Sequence, residues 1–317
     1  MLSFATLACM VGATAAGSAI TTHIKLNDGN QFPSINLGTC CGSKPAVGIP
    51  GWIGAGGFGI DTSIDYKDEA DIATALKKIG TTRRSALYIT TKITAGCGKP
   101  ADCAADSSLA IASVKQSLKN LGTTYIDMIL LHRPCQQSTQ KCSIQPKLSN
   151  CTGPCPIAEP SNSNAALWAG LVQAKKAGLV KSIGVSNYNA AELAALPAPI
   201  PAINQCEMSI EGYDNVTLNY CQANGIVYES YGAMRGCPFN SSVVTAIANA
   251  PRPQSPPTGV STAQVCLRWA LQRGVAIAAG TGADAETAGA YAKENLGIFG
   301  FELTGSEMMQ LNNLQLP

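Results

Sequence analysis

Three apolar runs in this chain each stop at a titratable side chain. GGFGID ends at Asp61, LYITTK at Lys92 and YIDMILLH at His132, one of two histidines among 317 residues. The loop after the first run carries Tyr66. An unperturbed Tyr titrates near ~10 and an unperturbed Lys near ~10.4. A phenol beside an ammonium has its phenolate favoured and its pKa lowered, which makes it a useful general acid near neutrality. Asp61 would hold Lys92 charged, and His132 could donate a hydrogen bond to a substrate oxygen. Groups so arranged protonate a developing alkoxide. No nucleophile–base pair for hydrolysis and no metal-ligand cluster stands out, so the missing reductant is expected to be a hydride cofactor.

Such groups need elements that bring them together. Strand candidates centre on Ile35–Gly38, Gly59–Thr62, Leu87–Thr91, Ile126–Leu131, Ser182–Val185, Ala202–Cys206, Ile226–Ser230 and Val275–Ala279. Helical periodicity falls between them, over Asp68–Ile79, Ser107–Leu121, Ala165–Ala177 and Ser261–Arg273, with Gly122, Gly178 and Gly274 as stops. The Gly- and Pro-rich segment between Cys41 and Gly57 reads as a poor helix. Alternating strands and helices predict an α/β fold, a (β/α)8 TIM barrel with long loops over its C-terminal face. HIKLNDGNQFPSINLGT reads as a hairpin that plugs it. A doubly wound sheet would need GxGxxG after an early strand, and that motif is absent; Gly54–Gly57 precedes a strand. Pro251–Pro257 reads as an excursion in the loop after the seventh strand.

In such a barrel chemistry gathers at the C-terminal strand ends. Those ends are Thr39, Asp61, Lys92, His132, Ser186-Asn187, Gln205, Tyr231 and Gly280-Thr281. Each alone has a bland reading: Asp61 as a helix cap, His132 as a satisfied core histidine, Lys92 snorkelling outward. Polar groups at every matching end are not explained one at a time.

Charged residues make up 13% of the chain, about half the usual ~25%, and the net charge is +2. That argues against a nucleic-acid binder and offers no polybasic membrane patch. Met1–Ala19 is apolar or small throughout, which predicts a secretory signal peptide followed by one domain over 20–317. An uncleaved anchor and an Ala-rich extension are the alternatives. Removing Cys9 with the leader leaves 13 − 1 = 12 cysteines. Cys135, Cys142, Cys151 and Cys155 crowd one Pro/Ser-rich loop, and Cys97 and Cys103 bracket another, as disulfides would require. Pro134–Ser163 is then expected to be a disulfide-stapled lid. Sequons stand at Asn150, Asn215 and Asn240. The expectation is a glycosylated monomer, secreted or in the secretory-pathway lumen, with no stable membrane association once the leader is cleaved; the cytoplasm is the alternative.

The segments IDTSIDY, LYITTKI, YIDMILLHRP, SIGVSNYN, INQCEMS and the ENL at Asn295 resemble the aldo-keto reductase superfamily, in order, from about Thr22 to Leu314. The resemblance implies that Tyr66 is the proton donor, supported by Lys92 and Asp61, with His132 orienting the carbonyl. It implies that Ser186, Asn187 and Gln205 hold the nicotinamide carboxamide, that Tyr231 stacks on the ring, and that Glu294 and Asn295 meet the adenine. It further implies that Thr39, Asp61, Gly280 and Thr281 complete the cofactor side, that the cofactor is NADPH or NADH and that the substrate is a small carbonyl compound. Members preferring NADPH carry Lys-Ser after the eighth strand and an Arg three residues before Glu-Asn. Here Gly280-Thr281 and Tyr291 stand there, so the cationic clamp for a 2′-phosphate is missing, with Lys293 or Arg273 as candidates to substitute. Cys40 and Arg133 replace pocket aromatics, and the chain stops at Pro317 without a long C-terminal loop, which together predict an open, polar pocket. A non-catalytic secreted or regulatory barrel that keeps the nucleotide is the alternative function.

Overall fold

The computed structural model describes residues 22–80, 84–93, 107–134, 160–252 and 259–315, with the backbone alone over 160–163. The leader, the loop cysteines from Cys97 to Cys155, Asn150 and most of Pro251–Pro257 lie outside these residues, as do residues 135–159 of the expected lid.

The described chain enters through a hairpin, β1 (His23–Lys25) and β2 (Gln31–Pro33), paired antiparallel across a turn in which Gly29 takes φ +89°. A positive φ at a turn favours glycine. Phe32 is fully buried and meets the Tyr88 ring edge-on at 5.4 Å. With Leu26 it packs on Met128, Ala202 and Ile203. The hairpin therefore plugs the barrel floor, as expected.

Eight parallel strands follow: β3 (Ile35–Gly38), β4 (Gly59–Asp61), β5 (Tyr88–Ile93), β6 (Ile126–Leu131), β7 (Val180–Ser186), β8 (Ile203–Ser209), β10 (Val227–Tyr231) and β11 (Ala276–Ala279). A two-residue strand β9 (Gly212–Tyr213) pairs antiparallel with β8. Neighbours pair in chain order, with Gln205 opposite Glu229 where β8 meets β10. Ile277 opposite Ile35 closes the barrel. Strands covered on both faces need near-continuous apolar runs, and all six residues of β6, IDMILL, are buried.

The helices are α1 (Pro45–Gly54), α2 (Glu69–Lys78), α3 (Ser107–Leu121), α4 (Pro160–Lys176), α5 (Ala190–Ala194), α6 (Asn215–Ala223), α7 (Ser242–Asn249), α8 (Thr262–Gln272), α9 (Ala285–Leu296) and α10 (Gly305–Asn312). Capping boxes open α5 (Asn189 with Glu192) and α8 (Ser261 with Gln264), satisfying first-turn N–H groups. Gly122 and Gly178 follow α3 and α4 in the left-handed region, at φ +62° and +72°.

One expectation is overturned. The segment between Cys41 and Gly57 contains a full ten-residue helix, α1. Pro45 sits in its first turn, where no N–H is needed, but Pro50 lies inside and costs an internal hydrogen bond. Packing offsets that cost. Ile49 and Trp52 are fully buried, and Gly51 lets α1 press on α9, where a Cβ would come within 3.0 Å of the Gly289 nitrogen.

A cavity of about 390 Å³, lined by His23, Phe58, Tyr88, Asp127 and Lys181 among others, opens at the floor of the barrel. It faces away from the C-terminal strand ends, where the polar groups converge.

Candidate active site

The loop after β4 is shaped by its own side chains. Ser63 Oγ accepts from the Asp65 N–H at 3.2 Å, and the Tyr66 N–H donates to the Ser63 carbonyl at 3.0 Å. Lys67 then takes φ +60°, ending a short 3-10 turn over Ile64–Tyr66. This turn carries Tyr66 back over the strand ends. Its ring meets the His132 ring edge-on at 5.8 Å, and the Lys92 Nζ lies 5.3 Å from its centroid.

Lys92 is wholly buried on β5. Its Nζ donates to Asp61 Oδ1 at 2.7 Å and to the Thr62 carbonyl at 2.9 Å. Burial alone would push the ammonium pKa down; Asp61 and Tyr66 outweigh it, and the pKa is held well above the usual lysine value. The lysine is therefore cationic at every working pH, as the sequence predicts.

Tyr66 departs from expectation. Its pKa is raised, because burial disfavours the phenolate more than Lys92 favours it, and Asp61 adds to the rise. The Lys92 charge does favour the phenolate, but the cost of burying a negative charge on the ring is the larger effect. The phenol is thus fully protonated at neutral pH. It is an acid held for a strong base, such as an alkoxide.

His132 is buried at the end of β6. Its Nδ1 lies 2.7 Å from Asp65 Oδ2 and 3.1 Å from Ser63 Oγ. Burial lowers its pKa against the opposing pull of Asp65. With the Nδ1 proton directed to Asp65, the neutral ring has Nε2 as an acceptor, and only the imidazolium donates from that nitrogen. Neither Ser63 nor Asp65 was singled out in the sequence; a Ser-x-Asp just before the tyrosine was the available signal.

The groups expected to hold a nicotinamide form one bonded series. Ser186 Oγ donates to the Gln205 carbonyl at 2.8 Å. Asn187, at φ +64°, donates from Nδ2 to the His132 carbonyl and to Ser186 Oγ, both at 3.0 Å, and its Oδ1 accepts from the Tyr231 hydroxyl at 2.7 Å. Asn tolerates that left-handed backbone better than most residues. Gln205 Nε2 donates to Asp61 Oδ2 at 2.9 Å, which ties the series to the catalytic cluster. The Thr39 N–H donates to the Asp61 carbonyl at 3.0 Å. On the far side Asn295 Nδ2 donates to the Gly280 carbonyl at 3.4 Å, while the Glu294 carbonyl accepts from Gln264 at 3.0 Å. Of the thirteen sequence-predicted site residues, twelve thus lie at the C-terminal strand ends or in contact with them, while Glu294 is held from α8 through Gln264.

Among the described residues, the buried hydroxyls of Thr39 and Thr281 have no hydrogen-bond partner. Orphaned polar atoms at the rim are what a polar ligand would satisfy. Gln205 has spent both N–H groups and keeps its Oε1 to accept from a carboxamide. The residues therefore fit a nicotinamide cofactor. One proposed substitute for the phosphate clamp does not: Arg273 caps the end of α8 that leads into β11, on the floor side, where its guanidinium stacks on Tyr213 and Trp269 and donates to Asn312. Lys293 remains, exposed in the last turn of α9 beside Asn295.

Glu229 was also missed. This wholly buried carboxylate on β10 accepts from Gln205 Nε2 at 2.7 Å and Asn36 Nδ2 at 2.9 Å. A glutamate inside VYESY, an otherwise core-facing strand, was the signal.

Known proteins resemble this chain in sequence and in fold. The sequence matches the Aldo/keto reductase family over residues 52–315. An aldo-keto reductase of a Mycobacterium species is 32% identical over 302 residues, covering 92% of this chain and 90% of that protein. The D-galacturonate reductase of Fragaria ananassa is 32% identical over 281 residues, covering 83% and 78%. Among solved structures, a Bombyx mori aldo-keto reductase in complex with NADP superposes with a TM-score of 0.73 at 26% identity, covering 92% of each chain.

Proposed function

This chain belongs to the aldo/keto reductase family, and from that premise we propose that Tyr66 is the proton donor of a carbonyl reduction carried out at these strand ends. The protein is a nicotinamide-dependent oxidoreductase acting on carbonyl groups. The bound nicotinamide supplies the hydride. Ser186, Asn187 and Gln205 would hold its carboxamide, Tyr231 its ring face, Thr39, Gly280 and Thr281 the rim, and Glu294 with Asn295 the adenine. As negative charge grows on the substrate oxygen, the Tyr66 phenol gives up its proton. Lys92 stabilises the phenolate left behind, and Asp61 keeps Lys92 charged and aimed. His132, steadied by Asp65, would orient the carbonyl oxygen in its imidazolium form, the form that donates from Nε2. The observation that carries this reading is the buried Asp61–Lys92 pair at 2.7 Å, with its Nζ 5.3 Å from the Tyr66 ring.

The finer substrate class follows from Arg133. This half-buried cation adjoins His132 and helps depress its pKa. A positive charge beside the carbonyl subsite favours substrates that carry a carboxylate, and the strawberry relative is named for such an aldehyde acid. We further infer a secretory location. It is supported by the apolar leader, by the Cys40–Cys41 and Cys237–Cys266 disulfides, and by exposed sequon asparagines at 215 and 240. The test is oxidation of NADPH and NADH by purified protein with uronates, neutral aldoses and dicarbonyls. Turnover of an acidic aldehyde supports the reading. No consumption with any substrate leaves the idle-barrel alternative standing.

A further inference from the structure

We infer that Glu229 is a positioning residue of this site: its carboxylate locks the amide of Gln205 and, through it, sets the balance of charge around Asp61 and Lys92. The inference rests on the proposed function above. Gln205 Nε2 has two protons, and two carboxylates take them, Asp61 Oδ2 at 2.9 Å and Glu229 Oε2 at 2.7 Å. An amide held between Asp61 and an ionised Glu229 has one orientation, because its Oε1 would be repelled by both; below about pH 8 the protonated Glu229 still accepts from Nε2 through its carbonyl oxygen. Oε1 is therefore kept for an N–H of the bound carboxamide. Were residue 229 apolar, one anchor would go and the amide could turn.

The surroundings of Glu229 leave it little else to do. Asn36 on β3 donates to its Oε1, and the β11 residue opposite in register is Ala276. The ionisable groups that reach it are Asp61 on β4, Lys92 and Tyr88 on β5, and Glu207 lies two residues beyond Gln205 on β8. Cys221 of α6 lies with Tyr228, whose side chain points to the opposite side of β10. Burial, with Asp61 adding to it, pushes the Glu229 carboxyl up to about 8. Lys92 thus faces one carboxylate below that pH and two above it. A second anion opposes the negative charge that must grow on Tyr66, so proton donation is weaker in the ionised form.

The test uses the full chain with two variants. Glu229→Gln keeps an acceptor for Gln205, with the Asn36 amide free to turn toward it, but carries no charge. Glu229→Leu removes both acceptor and charge. Cofactor affinity is read by tryptophan fluorescence, and kcat for carbonyl reduction is followed from about pH 6 to 10. Wild-type kcat should fall about three- to tenfold as pH rises through about 8. That fall should vanish in Glu229→Gln while NADPH binds within about threefold of wild type. In Glu229→Leu the cofactor Kd should rise about tenfold. A pH break that persists in Glu229→Gln, or unaltered cofactor affinity in Glu229→Leu, overturns the inference. The binding arm needs no turnover, so it judges Glu229 even if Tyr66 proves not to be the donor.

Discussion

Consider Lys92→Met. The side chain is wholly buried and its ammonium is paired with Asp61 at 2.7 Å. Removing the cation leaves the Asp61 carboxylate in the barrel interior with one amide donor, Gln205. Breaking a buried pair from one side costs about 3–5 kcal/mol. Adding Asp61→Asn removes the stranded charge, so the double variant should recover at least ~2 kcal/mol of that loss. Catalysis should behave differently. A unit charge 5.3 Å from the Tyr66 ring is worth about 3 kcal/mol at an effective dielectric of ~20, which is roughly two pKa units on the phenol. Lys92→Met should therefore lower kcat about a hundredfold, and the double variant should not regain it, because the cation is still missing. Urea denaturation at constant m-value reads the first effect, and steady-state reduction of a carbonyl reads the second. A double variant that regains activity together with stability would refute the electrostatic role of Lys92. So would a single variant as stable as wild type.

Three further outcomes are expected. Asp65→Asn should lower the pKa of His132 further, because Asp65 is the group that raises it against burial; with two histidines in the chain an NMR titration resolves the shift, and an upward move would refute the contact. Arg133→Gln should reduce kcat/KM for a uronate about tenfold relative to a neutral aldose, whereas an equal loss on both would deny Arg133 a role in charge recognition. NADPH should be preferred over NADH by less than about a hundredfold, or ~2.7 kcal/mol, since Tyr291 stands where the clamp arginine is expected; a larger preference that falls away in Lys293→Ala would identify the substitute cation.

The barrel was legible because its signals are local. Each strand is a short apolar run, helices such as α3, α4 and α8 have an apolar face and a glycine stop, and the strand ends carry polar residues that the parallel topology delivers to one mouth. Asp61, Lys92 and His132 could be read that way, and Tyr66 followed from the loop. Helix α1 was not legible, since its stability comes from Trp52, Ile49 and the glycine contact with α9, not from its own propensity. The direction of the Tyr66 shift was not legible either. It depends on how deeply the fold buries the phenol relative to the nearby Lys92 charge, and burial is a property of the packed structure. Glu229 and Asp65 were hidden for a third reason. Their partners, Gln205 and His132, lie 24 and 67 positions away, and nothing in either sequence segment announces the pairing.

The claim on which the rest depends is that Tyr66 donates the proton, and Tyr66→Phe tests it most directly. The substitution removes one hydroxyl and leaves Ser186, Asn187 and Gln205 in place, so cofactor affinity should stay within about twofold of wild type. General-acid catalysis is typically worth ~10²–10⁴-fold, and kcat for carbonyl reduction should fall by at least that range. A Tyr66→Phe protein that binds NADPH normally and reduces the same carbonyl at the wild-type rate would contradict the account while leaving the fold untouched.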